Sequence, residues 1–259
     1  MESLNFDPVS IAVSDDYLVV GGQHSELAVT SLKDPRNTKI TYIGGSINNY
    51  VVFDAQKKGC RQRDSGYMED SVSHEDGMHM SSQHPHLLLC NNDHTIRIVS
   101  VPEINVLFEV QLPTAVNYAS VSPDQTKVVA VGDSNEVFLF NKRGSDLELV
   151  TTLTGSSDAA FSCDWNQVSD IFAVGSQDGI VNVWDTRSTH KLAILETYQR
   201  GRTKGACRNV KFSPSGSVDL LAYSEVSISG KSTLFTICNQ MPSAMYNECV
   251  CLGKQQPAD

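Results

Sequence analysis

The sequence predicts an all-β fold built from repeated small sheets, and three observations carry this prediction. Short apolar runs recur along the chain, among them Tyr17–Gly22, Lys127–Gly132 and Ile171–Ser176. Tight-turn residues follow these runs, and a further apolar run follows each turn, as in a β-hairpin. The whole pattern then returns at a nearly fixed spacing, which is the signature of a repeat architecture.

The clearest unit lies within Phe161–Arg187. Its first strand ends at Trp165, its second covers Ile171–Ser176 and its third runs from Ile180 to Asp185. The sequence Gln177-Asp178-Gly179 separates the last two strands, and Asp-Gly is a strong hairpin signal because the turn needs residues that tolerate positive φ. This unit therefore serves as the template for the rest of the chain.

Three other segments match the template, and a fifth matches in part. The three turn-and-strand segments are His24–Thr30, Asp93–Val99 and Ser134–Asn141, each preceded by an apolar strand. A fifth unit opens with Cys207–Pro214 and continues with Leu220–Ser224. No tight turn and closing strand are recognisable after it.

The spacing of the units predicts a β-propeller. The turn positions 24, 93, 134 and 178 are separated by 69, 41 and 44 residues, and a period of about 40 to 45 with four strands per unit is typical of propeller blades. The long first interval contains 57–83, a polar, Ser-rich stretch that we expect to be a disordered insertion loop. The nearly continuous apolar strands fit sheets that neighbouring blades cover on both faces.

The domain prediction is a propeller over 1–225, with about five recognisable four-stranded blades, followed by a divergent C-terminal tail over 226–259. A ring that does not close would expose strand edges. The incomplete pattern therefore has two possible explanations. Either the ring has five or six units with a degenerate last blade, or the chain is the truncated, non-functional product of a longer gene.

The units resemble WD40 proteins, most closely over Gly175–Asp185. The resemblance implies a rigid binding scaffold and no enzymatic activity. Only Trp184 and Asp185 form a true Trp-Asp pair, and the family's Gly-His dipeptide before each first strand is absent. The family's Asp-His-Ser-Trp hydrogen-bond tetrad therefore lacks its His, although Ser176, Asp178 and Trp184 are present.

A narrower resemblance covers 205–225, which is similar to a short segment of unknown function in certain fungal WD40 proteins. One group with that segment includes a substrate receptor of the glucose-induced-degradation ubiquitin ligase. This resemblance implies a role as a substrate receptor or adaptor of a ubiquitin ligase.

Four residues of the best unit are expected to be structural. The carboxylate of Asp178 can accept hydrogen bonds from turn amides, Trp184 is expected to pack between blades, and Ser176 and Asp185 complete the group. Trp165 is expected to pack in the same way.

The binding surface of such a propeller is usually its narrower end, where the turns between second and third strands meet the starts of the first strands. Polar and aromatic side chains at these positions suit a protein or peptide partner, alone or within a multisubunit complex. The alternative is that each is an ordinary solvated turn residue. The predicted binding residues are Gln23, Asn92, Asn117, Asp133, Phe161, Gln177 and Arg208.

The charge balance argues against polyanionic partners. Thirty acidic and twenty basic residues give a net charge of −10, which would repel a nucleic-acid backbone or an anionic membrane. No signal peptide or apolar span is recognisable, so we expect a soluble protein of the cytoplasm or also of the nucleus. Seven scattered cysteines are expected to be reduced thiols.

No motif for a catalytic nucleophile, a phosphate-binding loop or a zinc site is present, so no catalytic residue, metal or cofactor is predicted. The spacing of His74, His79, His84 and His86 fits no closed zinc site. Asp64–Ser71 resembles a phosphodegron. A propeller hydrolase with dispersed acidic residues stays open as an alternative.

Overall fold

The protein is described by a computed structural model that covers residues 4–54, 85–196, 205–214 and 220–226, together with the backbone of 233–239 and 248–252. All regular structure in these ranges is β-strand, arranged as five antiparallel sheets of four strands each. Each sheet uses four strands that are consecutive in the chain. The predicted all-β fold class is confirmed.

The strand bounds follow the repeat. The first sheet contains β1 (Pro8–Val13), β2 (Tyr17–Gly22), β3 (Glu26–Ser31) and β4 (Thr38–Tyr42). The second contains β5 (Asn48–Asp54), β6 (His86–Asn91), β7 (Thr95–Ser100) and β8 (Val106–Gln111). The third contains β9 (Val116–Val121), β10 (Lys127–Gly132), β11 (Glu136–Arg143) and β12 (Asp146–Thr154).

The last two sheets are built in the same way. The fourth contains β13 (Ala160–Trp165), β14 (Ile171–Ser176), β15 (Ile180–Asp185) and β16 (Lys191–Glu196). The fifth contains β17 (Ala206–Phe212), β18 (Leu220–Val226), β19 (Thr233–Asn239) and β20 (Glu248–Leu252). The predicted bounds of β2, β10, β14 and β15 agree with the structure.

The Asp-Gly hairpin of the fourth sheet forms as the sequence predicts. Strands β14 and β15 pair from Ile171 with Asp185 to Gly175 with Val181. Gly179 has φ of +77° in the intervening turn, a conformation that L side chains rarely adopt. The turn chemistry therefore sets the register of this pair of strands.

Apolar clusters lie between consecutive sheets and hold them together. Between the third and fourth sheets, Val129 and Leu139 from one side meet Cys163, Phe172 and Trp184 from the other. Similar clusters join the first sheet to the second, the second to the third, and the fourth to the fifth. The first strands of consecutive sheets, β1, β5, β9, β13 and β17, lie next to one another. This is the arrangement of propeller blades around a central channel.

The fifth sheet differs from the sequence expectation. No closing strands were recognisable after 226, yet the backbone of β19 pairs with β18 from Leu220 with Asn239 to Val226 with Thr233. Strand β20 then pairs with β19. The sequence between these strands, 227–232, contains Ser229-Gly230 but no Asp-Gly or Asn-Gly dipeptide, so the strongest local hairpin signal is missing. The predicted insertion loop at 57–83 lies outside the described residues.

Candidate protein-interaction face

A β-bulge marks the start of every first strand, at an equivalent position in all five sheets. A bulge places two residues of one strand opposite one residue of its partner and re-aims a side chain. In each case the pairing with the second strand skips one residue. The bulged residues are Val9, Asn49, Asn117, Phe161 and Arg208.

The turns between second and third strands lie beside these bulges, and we call this end of the propeller the turn face. In four sheets, the backbone N–H of the residue just after the second strand donates to the carbonyl of the residue just before the first strand. These bonds join Gln23 to Asp7 (3.2 Å), Asn92 to Ile47 (2.9 Å), Asp133 to Ala115 (3.0 Å) and Gln177 to Ala159 (2.8 Å). The structure therefore brings the predicted turn residues and the bulged residues to the same end.

Two of the bulged residues tie neighbouring sheets together. The side-chain amide of Asn49 donates to the carbonyl of Val116 at 2.9 Å, and that of Asn117 donates to the carbonyl of Ala160 at 3.1 Å. Each bond runs from one first strand to the next. These two amides are therefore used by the fold itself.

The same amides also hold two of the predicted binding residues. Asn49 Nδ2 lies 3.3 Å from Asn92 Oδ1, and Asn117 Nδ2 lies 2.8 Å from Asp133 Oδ1. Asn49 thus contacts Asn92, and Asn117 contacts Asp133, in two separate side-chain pairs. Sequence reasoning did not single out Asn49, although its place one residue before Tyr50 matches that of Asn117 before Tyr118.

The bulged residues of the fourth and fifth sheets form a different contact. The guanidinium carbon of Arg208 lies 3.8 Å from the centre of the Phe161 ring, which is a close cation–π stack. Arg208 is exposed and Phe161 is partly exposed. This pair is the aromatic and cationic part of the turn face.

The two predicted glutamines occupy unequal positions. Gln23 is exposed. The side-chain oxygen of Gln177 is buried, and no described residue donates a hydrogen bond to it. Both lie on the turn face through the backbone bonds given above.

Asp178 lies in the tight turn of the fourth sheet and accepts several hydrogen bonds. One carboxylate oxygen accepts from Ser176 Oγ (2.6 Å) and Ile180 N (3.2 Å), and the other from Ser157 N (2.9 Å) and Ser157 Oγ (2.8 Å). Burial raises the pKa of Asp178, but these hydrogen bonds outweigh burial and hold the pKa below its usual value. Asp93 has the equivalent position in the second sheet and accepts from Gly45 N at 2.9 Å.

Trp184 and Asp185 lie away from the turn face. Trp184 is 1% exposed and stacks on Phe172 with ring centres 5.4 Å apart, between the third and fourth sheets. Trp165 packs in the same cluster and donates its indole N–H to Ser120 O at 2.9 Å. Hydrogen bonds from Arg187 lower the pKa of Asp185 to about 2.

A cavity of about 450 Å³ opens on the channel, lined by the first strands of the second to fifth sheets and by the loops that follow three of them. Tyr50 and Tyr118 stack in its wall with ring centres 3.7 Å apart. Its lining contains one carboxylate, Asp164, which accepts from Phe212 N at 2.7 Å and pairs with Lys211 at 2.9 Å. Sequence reasoning missed this cavity.

Among the described residues, the cavity lining contains a single carboxylate. Within the described ranges, no group of three or more His, Cys, Asp or Glu residues could hold a metal ion. In the same ranges, no helix has the length and apolar character to cross a bilayer.

Comparison with known proteins identifies a family. The family model described as "Nucleolar protein 10-like, N-terminal domain", a β-propeller, matches residues 72–246. An uncharacterised protein of Schizosaccharomyces pombe is 30% identical over 228 residues, which cover 86% of this chain. The chain spans 58% of the length of that relative.

Proposed function

The chain belongs to the Nucleolar protein 10-like N-terminal β-propeller family, and on this basis we propose that it is a non-catalytic scaffold whose turn face binds a protein or peptide. One observation carries the proposal. Five equivalent bulges present side chains at the same end of a rigid array of sheets. Rigid frameworks that present short irregular segments are a common basis of recognition.

The composition of the turn face agrees with a protein partner. It combines an aromatic ring and an arginine with neutral amides and the carboxylate of Asp133, and aromatic and arginine side chains are enriched at the centres of protein interfaces. Gln23, Asn92, Asp133 and Gln177 would form the surrounding polar rim. The seven residues predicted from the sequence remain the proposed binding set.

The comparisons do not support the ubiquitin-ligase role. Neither the family description nor the name of the relative mentions a ligase. The role of substrate receptor therefore depends only on the short resemblance over 205–225. The family description names a nucleolar protein, and we propose the nucleus, ahead of the cytoplasm, as the place where this chain meets its partner.

Affinity purification with matched variants tests the proposal. The immobilised chain is exposed to nuclear and cytosolic extracts as wild type, as the face variants Phe161→Asp and Asp133→Arg, and as the control Val168→Asp. Val168 is 71% exposed and lies in the turn between β13 and β14, at the opposite end of the fourth sheet. Thermal melts establish that each variant is folded.

We expect a set of nuclear proteins that wild type and Val168→Asp retain equally and that both face variants retain about tenfold less, equivalent to about 1.4 kcal/mol of binding free energy. Quantitative mass spectrometry of the retained proteins measures this. Equal retention by all four chains, or equal loss from Val168→Asp, would contradict binding at the turn face. Retention from the cytosolic extract alone would contradict the nuclear location.

A further inference from the structure

We propose that Phe161 and Arg208 form the recognition element of the turn face and bind a single carboxylate of a peptide segment in the partner. This inference rests on the proposed function, since it assigns the partner's chemistry to the same face. It depends on a comparison of the five equivalent bulged positions.

The bulged residues divide into those that the fold uses and those that it leaves available. Asn49 and Asn117 each donate an amide N–H to a carbonyl of the next first strand. Phe161 has no polar atom to make such a bond, and the guanidinium of Arg208 makes no hydrogen bond or ion pair with another described residue. Arg208 thus carries five N–H donors that remain available to a ligand.

The contact with Phe161 holds the guanidinium of Arg208 in a conformation that can bind a ligand. The ring covers one face of the guanidinium at 3.8 Å, and Arg208 is exposed. A planar fork of donors matches a carboxylate with two parallel hydrogen bonds. Because stacking already restricts the long side chain, binding costs less conformational entropy than it would for an unsupported arginine.

The pair is not needed to join the fourth and fifth sheets. Val210 N donates to Ser162 Oγ at 3.1 Å and Phe212 N donates to Asp164 Oδ2 at 2.7 Å, and an apolar cluster lies between the same sheets. An exposed cation–π contact adds little to such an interface.

A carboxylate fits the site better than a phosphoryl group. Phosphorylated residues carry nearly two negative charges and are usually bound by clusters of arginines. Within the described part of the turn face, Arg208 is the exposed guanidinium without an ion-pair partner, and the net charge of −10 gives a doubly charged anion no long-range attraction. A single negative charge held by a bidentate contact is the ligand that this arrangement can accommodate.

Selection from a random peptide library tests the inference. A phage-displayed library is selected on the immobilised wild-type chain, and the enriched peptides are synthesised with a fluorescent label. Each is made in three forms, with the acidic residue retained, replaced by its amide, or replaced by phosphoserine. Fluorescence anisotropy measures the Kd of each form for wild type, Arg208→Ala, Arg208→Lys, Phe161→Asp, Asp133→Arg and Val168→Asp.

We expect the enriched peptides to share an Asp or Glu and to bind Val168→Asp as they bind wild type. Arg208→Ala and the amide form of the peptide should each weaken binding about tenfold or more. Combining the two changes should cost little beyond either one, because both remove the same contact. Arg208→Lys keeps the positive charge but loses the planar set of N–H donors, so it should weaken binding nearly as much as Arg208→Ala. Unchanged melting temperatures for both Arg208 variants would exclude a structural explanation.

Other results would overturn the inference in distinguishable ways. Enriched peptides that lose affinity for Phe161→Asp and Asp133→Arg but bind Arg208→Ala normally would refute the carboxylate site and leave the turn face as the binding surface. Tighter binding of the phosphoserine form would refute the carboxylate in favour of a phosphoryl ligand. Peptides insensitive to every turn-face variant would refute the proposed function as well.

Discussion

Polar side chains at the turn face fall into two groups. Some form hydrogen bonds within the fold, and others are available for binding. Asn49, Asn117 and Asp178 direct their polar atoms to backbone groups or to neighbouring side chains. Arg208 instead lies exposed against an aromatic ring. Residues of the first kind should affect stability when changed, whereas Arg208 should affect binding.

Asp178 provides a test of the first kind that depends on pH. Its pKa lies below its usual value in the folded protein, so its contribution to stability is fully present above the unfolded value of about 3.9 and is lost as the pH falls through the folded value. Asp178→Ala should lower the free energy of unfolding by about 1–2 kcal/mol at pH 7. The difference from wild type should shrink at pH 3.

Urea unfolding at pH 7, 5 and 3 measures this effect. Asp158→Ala is the matched control, because Asp158 is an exposed aspartate of the connection that precedes β13. A stability difference for Asp178→Ala that stays constant from pH 7 to pH 3 would contradict the account given for the carboxylate.

The first strands are the elements that link one sheet to the next. Their bulges lie at equivalent positions, and side-chain to backbone bonds cross from one first strand to the following one. Ser10 Oγ does the same between the first two sheets, donating to Asn48 O at 2.9 Å. These bonds supplement the apolar clusters by fixing how adjacent strands align at the turn face.

Removing one of these links should destabilise the protein measurably. Asn117→Ala leaves the carbonyl of Ala160 without this donor, and we expect a loss of about 1 kcal/mol in the free energy of unfolding. Asn49→Ala should have a similar effect at the junction of the second and third sheets. Chemical denaturation at pH 7 measures both, with Val168→Ala at an exposed turn position as the control that changes stability by less than about 0.5 kcal/mol. An equal loss from Val168→Ala would mean that the hydrogen bonds of Asn49 and Asn117 are not the cause.

Across the described part of the chain, the first sheet stands apart because its outer strands expose several large apolar side chains. Register places Ile11, Val13, Ile40 and Tyr42 on the same side of the sheet. Their exposed fractions are 65%, 61%, 41% and 71%. An apolar sheet face of this kind favours association with other surfaces.

We therefore expect the 28.3 kDa chain to associate as its concentration rises. The double variant Ile11→Lys and Tyr42→Lys should stay monomeric over the same range without a lower melting temperature, because both side chains are exposed. Size-exclusion chromatography with light scattering measures the mass, and Val168→Lys controls for the loss of an exposed apolar residue elsewhere. Association of the double variant to the same degree as wild type would contradict the role of this face.

Much of the fold could be predicted because its signals are local. The apolar run of β14, the Asp-Gly turn and the apolar run of β15 lie within 15 residues, and their pattern alone sets the pairing. Strand β19 was missed because no Asp-Gly or Asn-Gly dipeptide stands between it and β18 in the sequence. The cavity beside Tyr50 and Tyr118 was missed because its walls come from four different sheets.

The candidate face was predicted in part. The turn positions could be read from the repeat, and Phe161 and Arg208 from their places early in the first strands. Asn49 was not singled out, and nothing in the sequence separated it or Asn117 from Arg208 in function. The distinction depends on which carbonyl of the next sheet each side chain can reach.

The sequence by itself determined the repeated hairpins, the apolar strands and the residues that stand at the turns, because alternation and turn chemistry act over a few neighbouring residues. Only the tertiary structure decided which polar side chains form hydrogen bonds within the fold. Asn49 bonds to a carbonyl 67 residues away and Asn117 to one 43 residues away, and no local pattern encodes such a contact. The exposed stack of Arg208 on Phe161 likewise exists only because adjacent sheets bring two equivalent bulges together.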